Sequence, residues 1–336
     1  DKIEKALFEN VAFEKMSGGY GYNYVKPYAD TAFDNCDFNF TEGDDTAKIE
    51  MVYPDNMLAI TNSRLNGEPV DSSNMANLVS ADSAVSASNI TVPVAKNGVS
   101  YYATLKDAVA AAQDGDTITI LGKVAVKPGD LPAQPNNKTL TFRGDGDDEL
   151  TFVDSTGYNM YYANGSSLTF DTLTITWKEG DQPYQGIAHT VDTIYNNCTI
   201  NGQLCLYASS SETFKNCTFV QPLTNAYNVR TWGAKKAAFE DCTFRSNGKS
   251  LLVYNESCVD SSRPNNTDDD KYKSITEPNK VIVKKCEFYA DNAVSGKAAI
   301  EVDSWFGPVA LEISDSSAVG FDEGSKSGDT LYNIKK

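Results

Sequence analysis

The sequence predicts an all-β solenoid, in which coils of short parallel strands stack along one axis. Three observations predict it. First, one motif returns along the chain: an apolar residue, any residue, Asn or Asp, Cys, a small or acidic residue, then an apolar residue. It reads Phe214-Lys215-Asn216-Cys217-Thr218-Phe219 and Phe239-Glu240-Asp241-Cys242-Thr243-Phe244. Phe33-Asp34-Asn35-Cys36-Asp37-Phe38 repeats it near the start. Second, copies recur every ~20 to 25 residues, a period that belongs to stacked repeats. Third, the apolar steps inside a copy are three and then two, whereas a strand alone alternates with a period of two.

The step of three requires a tight bend between the first apolar residue and the Cys. Asn or Asp suits that bend because both tolerate the left-handed conformation. Each copy is therefore strand, bend, strand, with the flanking apolar residues and the Cys facing inward. Stacked copies would lie ~4.8 Å apart. Their amides could form a ladder and their thiols a column.

Taken in order, Phe8-Glu9-Asn10-Val11-Ala12-Phe13 is a first copy with Val in place of Cys. The copy at Cys36 follows. Thr91 to Tyr102 contains Asn97-Gly98, a strong hairpin signal. Thr104 with Asp107 forms a capping box, which opens an Ala-rich helix near 104–113 ending before Gly115. Asp116-Thr117-Ile118-Thr119-Ile120 then begins a run of coils. Ile194-Tyr195-Asn196-Asn197-Cys198-Thr199-Ile200 reads as a copy with one extra residue, its Ile194 facing inward. Val283-Lys284-Lys285-Cys286-Glu287-Phe288 is a weaker copy. The polar, Pro-containing stretch 258–279 reads as an exposed loop.

The recurrent bends resemble the right-handed parallel β-helix proteins, a group that includes pectate lyases, polygalacturonases and many bacterial surface adhesins. The block from Tyr102 to Leu121 resembles the N-terminal cap of pectate-lyase-like surface proteins, and the resemblance as a whole extends over roughly 91–335. The resemblance implies a right-handed parallel β-helix whose open end is covered by the short helix. For function it implies an extracellular or cell-surface bacterial protein with an adhesin-like or structural role.

A duplication sets the domain reading. Phe8 lies 206 residues before Phe214, and Cys36 lies 206 before Cys242. Ala47 to Glu50 parallels Ala298 to Glu301, and Leu58 to Ser63 parallels Leu311 to Ser316, where the offset has grown to 253. Residues 1–88 are thus expected to be the C-terminal coils of one unit, and 91–336 a complete second unit with its own hairpin and helix cap. Such a chain is expected to continue into adjacent β-helix units of a longer protein.

Bulk properties exclude several functions. Net charge is −17 and the pI is near 4.5. A nucleic-acid footprint would be basic, so no nucleic-acid partner is expected. There is no run of 18 apolar residues, so no membrane insertion is expected. Seven cysteines, an odd number, argue against a complete disulfide framework, and the thiols are expected to be free and buried. Abundant Gly, Ser, Thr, Asn, Asp and Tyr suit an extracellular protein.

Candidate site residues fall into three sets. Glu301 and Asp303 alternate with Ile300 and Val302, so both are expected to point outward near Trp305. Two such carboxylates can hydrolyse a glycoside, or they can simply form a solvated strand face. Lys26 with Tyr28 and Arg230 with Trp232 are equivalent basic-x-aromatic pairs in the two copies. A ring can stack on sugar CH groups while the cation bonds hydroxyls, or the pair can be ordinary packing. The run Asp268, Asp269 and Asp270 can bind calcium, or can be a solvated loop.

His189, the single histidine, stands in Ala188-His189-Thr190 and not in the Gly-His-Gly of polygalacturonase-like sites. Gly-Asp-Asp occurs at 43–45 and 146–148, in both places as a loop tip. No pectate-lyase-type Arg-x-x-Arg pair is present. The expected function is therefore carbohydrate or cell-surface glycan binding. The alternative is a polysaccharide lyase or glycoside hydrolase acting on acidic polysaccharide.

Overall fold

The computed structural model describes residues 3–16, 25–40, 48–71, 73–127, 129–131, 138–153, 167–177, 187–189, 192–206, 210–255, 278–303, 308–322 and 332–335, with backbone only at 187–189, 303 and 332–335. The architecture is an all-β parallel solenoid. By compactness the chain divides into Asp1–Ala108 and Val109–Lys336. The division falls later than the 88/91 boundary read from the sequence, and it leaves the hairpin in the first unit.

In the first unit, strands Lys5–Glu9, Asp30–Asp34, Leu58–Thr61 and Ile90–Thr91 form one parallel sheet. Ala12–Met16, Asp37–Phe40 and Arg64–Leu65 form a second, closed by an antiparallel turn onto Glu68–Pro69. A third side is reduced to two parallel bridges, Val25 to Ile49 and Ile49 to Val79. Phe8 stacks on Phe33 at 5.0 Å and Phe13 on Phe38 at 5.1 Å, so equivalent rings of successive coils form columns.

The hairpin pairs Ala95–Asn97 with Ser100–Tyr102. It is tied to the coils through Asp34, which is buried. Lys96 Nζ donates to Asp34 Oδ2 at 2.9 Å, Tyr101 Oη at 3.1 Å, and Asn62 Nδ2 reaches Oδ1 at 3.1 Å. Burial, then the Asp34 charge, pushes the Tyr101 phenol up. Thr104 caps the helix: its Oγ1 accepts from the Asp107 N–H at 3.1 Å, and the Asp107 carboxylate reaches back to the Thr104 hydroxyl, which donates to Oδ2 at 2.7 Å. The helix spans Leu105–Ala111.

The second unit has three sides. Its first sheet runs from Thr117–Ile120 through Thr139–Arg143, Ser167–Asp171, Asp192–Asn196, Ser211–Lys215, Lys236–Glu240 and Asn279–Lys284 to Val309–Ser314, all parallel. The second runs in step from Lys123–Val126 to Ser317–Val319. The third contains Ile187–His189, Leu204–Leu206, Val229–Arg230, Leu251–Tyr254, Ile300–Asp303 and Tyr332–Lys335.

The bend residues sit where the motif put them. Asn35, Asn197, Asn216 and Asp241 all have φ near +50° to +55°. Lys285 takes the same conformation without an Asx side chain, at φ +53°. The amides ladder between coils: Asn35 Nδ2 donates to Asn10 Oδ1 at 2.7 Å, and Asn216 Nδ2 to Asn197 Oδ1 at 2.9 Å.

Inside, Phe142, Phe170, Tyr195, Phe214 and Phe239 stack with successive centroids 4.8–5.4 Å apart. Burying each such ring contributes roughly 1.5–3 kcal/mol. This column corrects one reading. Tyr195, fully buried, is the inward residue, while Ile194 is 44% exposed. The copy at Cys198 therefore has no extra residue; a tyrosine fills the phenylalanine position.

Cys36, Cys198, Cys205, Cys217, Cys242 and Cys286 are free and buried. In the bends each thiol donates to the carbonyl two residues earlier, as Cys217 does to Lys215 at 3.3 Å. Cys258 lies outside the described residues.

One acid points into this interior. Glu212 pairs in register with Thr193 and Ala237 and alternates with Phe214, so it belongs to the inward row. It is completely buried. Its Oε1 accepts from the Ser210 hydroxyl, and its buried Oε2 has no partner among the described residues. Desolvation holds its carboxyl well above the ordinary value of 4.5, with the Asp192 charge pushing the same way.

Candidate functional site

The third side of each unit carries the basic-x-aromatic pairs. In the first unit the bridge between Val25 and Ile49 places Lys26 beside Glu50 on adjacent coils. Lys26 Nζ lies 3.0 Å from Glu50 Oε2, with both side chains partly exposed. Tyr28, two residues on, is 60% exposed. Tyr53, from the next coil, is 49% exposed and meets Tyr28 edge to face, with centroids 6.0 Å apart and planes at 74°. These rings border a groove of about 450 Å³ whose walls include Ile3, Ala6, Phe8 and Val25.

Sequence reasoning named Lys26 and Tyr28 but missed Glu50 as the partner and Tyr53 as the second ring. The signal was present. Lys26-Pro27-Tyr28 and Glu50 to Pro54 are the same outer segment of two successive coils, each with a Pro beside a Tyr.

In the second unit the equivalent cation is Arg230. Its outward row runs Cys205, Arg230, Leu252, Glu301. The Arg230 guanidinium lies 5.5 Å from the Trp232 ring centroid and 5.7 Å from that of Tyr254. Tyr254 is 3% exposed. The predicted pair is therefore brought together as a packed cation–aromatic cluster. The thiol of Cys205 next to it is pushed up to about 12 by desolvation, which the Arg230 charge only partly offsets.

Glu301 alternates with inward Ile300 and Val302, yet it is 2% exposed, because Tyr227 and Lys297 cover it. Tyr227 donates its hydroxyl to Oε2 at 2.7 Å, and Lys297 Nζ lies 3.0 Å from the same oxygen. Oε1 is buried and has no partner among the described residues. Lys249 Nζ sits 5.9 Å from the Tyr227 ring centroid. Glu301 is thus a sheltered carboxylate with one oxygen engaged. Tyr227 was read from the sequence as a ring beside the Arg230 pair and not as a partner of Glu301; Lys297 was not named, because it stands before the strand that carries Glu301.

The two units use the same residue types at the same register with different spacing. Lys26 and Glu50 are on neighbouring coils and close an ion pair. Arg230 and Glu301 are separated by the coil that contributes Leu252, and each turns to other partners.

The remaining candidates are placed as follows. The side chain of Asp303, and all of Trp305, Asp268, Asp269 and Asp270, lie outside the described residues. Among the described residues no group of three or more His, Cys, Asp or Glu is arranged to hold a metal. The backbone of His189 lies in the third sheet. Gly43-Asp44-Asp45 lies outside the described residues. In Gly146-Asp147-Asp148, Asp148 is not a loop tip: it is buried and accepts from the N–H groups of Gly122 at 2.6 Å and Asp145 at 3.0 Å. Desolvation pushes its carboxyl up.

No protein-family model matches this sequence, and no curated protein is similar to it.

Proposed function

We propose that this chain is a bacterial surface or secreted solenoid with an adhesin-like role, and that it binds carbohydrate on the third side of its first unit. The observation that carries the reading is the shelf made by Tyr28 and Tyr53. Large rings left about half exposed are a surface for a ligand with one apolar face. A pyranose has such a face in its CH groups, and its hydroxyls bond well to a Lys26–Glu50 pair at the rim. The rigid stacked coils hold the rings in place, which lowers the entropy cost of binding. A glycan-array screen tests the reading. Wild-type protein is expected to give discrete hits that Tyr28→Ala with Tyr53→Ala removes; a blank array sinks it.

A second reading draws on Glu301. A sheltered carboxylate held by Tyr227 and Lys297 suits acid–base chemistry on a glycoside, in which case the protein is a polysaccharide hydrolase. Release of reducing ends from polysaccharides by the wild type, abolished by Glu301→Gln, is the result that would favour it.

A further inference from the structure

We infer that the shelf on the first unit takes a neutral sugar, and that anionic glycans are excluded from it. The inference rests on carbohydrate binding at that shelf and goes on to name the class of ligand. Three independent features carry it.

The first is the state of the cation. A site for uronic, sialic or sulfated sugars needs a positive group turned to the ligand. Among the described residues at this rim the cation is Lys26, and its ammonium is 3.0 Å from Glu50. A ligand carboxylate approaching Lys26 would meet Glu50 at the same distance range, so the rim presents a neutral dipole. That dipole is well suited to hydroxyls: the carboxylate accepts an O–H and the ammonium donates to an oxygen.

The second feature is the pair of rings. Tyr28 and Tyr53 are 60% and 49% exposed, and their apolar faces carry no charge for an anionic group to pair with. The rings of Tyr28 and Tyr53 stand at 74°, so one can lie flat on a pyranose while the edge of the other meets the next sugar.

The third is the field of the whole chain. A net charge of −17 repels polyanions before contact. A neutral ligand is not affected by that field, and its binding should be insensitive to salt.

The test uses a glycan array with matched neutral and anionic members, namely neutral, uronic-acid, sialylated and sulfated oligosaccharides, followed by calorimetry on the strongest hit. Expected are hits confined to neutral glycans, with a Kd that changes less than about twofold between about 0.05 and 0.5 M NaCl. Tyr28→Ala with Tyr53→Ala should weaken that Kd about tenfold or more. Both rings are exposed, so thermal melts of the double variant should match the wild type and certify the fold. The variant Val319→Ala, at an exposed residue of the second unit, should leave the Kd unchanged. Hits confined to anionic glycans, a Kd that weakens steeply with salt, or loss in the second variant but not the first would each overturn the neutral-sugar inference. Each of those outcomes leaves carbohydrate binding by the protein standing. An array blank for every class would overturn both.

Discussion

Glu212 offers the sharpest physical test of the fold. Replacing it with Gln keeps the size and leaves a carbonyl to accept from Ser210, but removes the ability to ionise. The native carboxyl is completely buried and is held well above 4.5 by desolvation, while in the unfolded chain it titrates near that ordinary value. Between the two, the native state holds one proton that the unfolded state has released. Stability of the wild type is therefore highest below the unfolded pKa and falls as pH rises towards the folded one. The slope for one proton is about 1.4 kcal/mol per pH unit. Glu212→Gln lacks that slope. The two proteins should differ by no more than about 1 kcal/mol at low pH, where both side chains are neutral. Above roughly pH 5 they should diverge steadily, with the variant the more stable. Urea unfolding followed by tryptophan fluorescence, in steps across about pH 4 to 8, reads this directly. Two curves that stay parallel across the whole range would refute the reasoning, because Glu212 would then be ionised in the native state and not facing the core.

Two further outcomes follow from the same packing. Asp34→Ala removes the acceptor shared by Lys96, Tyr101 and Asn62, and should destabilise the first unit by about 1–3 kcal/mol in urea melts; an unchanged midpoint would mean the hairpin is held by other contacts. The thiols of Cys217 and Cys242, pushed up to about 12, should resist iodoacetamide in the native protein and react fully in denaturant. For both, the contact with the neighbouring bend thiol is the leading cause, with burial adding to it. Rapid alkylation of native protein would contradict the buried thiol column.

The stacked architecture was readable because the bend imposes a chemical requirement on a single position. Asn216 and Asp241 announce a left-handed residue, and the spacing around them then assigns Phe214, Cys217 and Phe219 to the interior. The same rule fails at Ile194, where an aliphatic residue stands outward at 44% exposure. Tyr195 fills that place because its coil stacks between Phe170 and Phe214, and ring-on-ring packing accepts a tyrosine. Glu212 was invisible for a related reason. Ser211-Glu212-Thr213 reads as a solvated stretch, and only the register against Thr193 and Ala237 turns its middle residue inward. On the third side the sequence pairs were legible but their partners were not. Tyr53 and Tyr227 reach their partners from other coils, and which coil lies near which is a property of the stack, not of local spacing.

The comparison of Lys26–Glu50 with Arg230–Glu301 points to a wider property of this architecture. Each coil adds a fixed step of ~4.8 Å, so two backbone positions in one outward row are separated along the stack by a whole number of steps. Inserting or deleting one coil changes that distance by one step while the bends on either side keep their geometry. A solenoid of this kind therefore works as a ruler with discrete marks. One mark apart, a base and an acid neutralise each other; two marks apart, they become two separate functional groups, with no change in either residue's own coil.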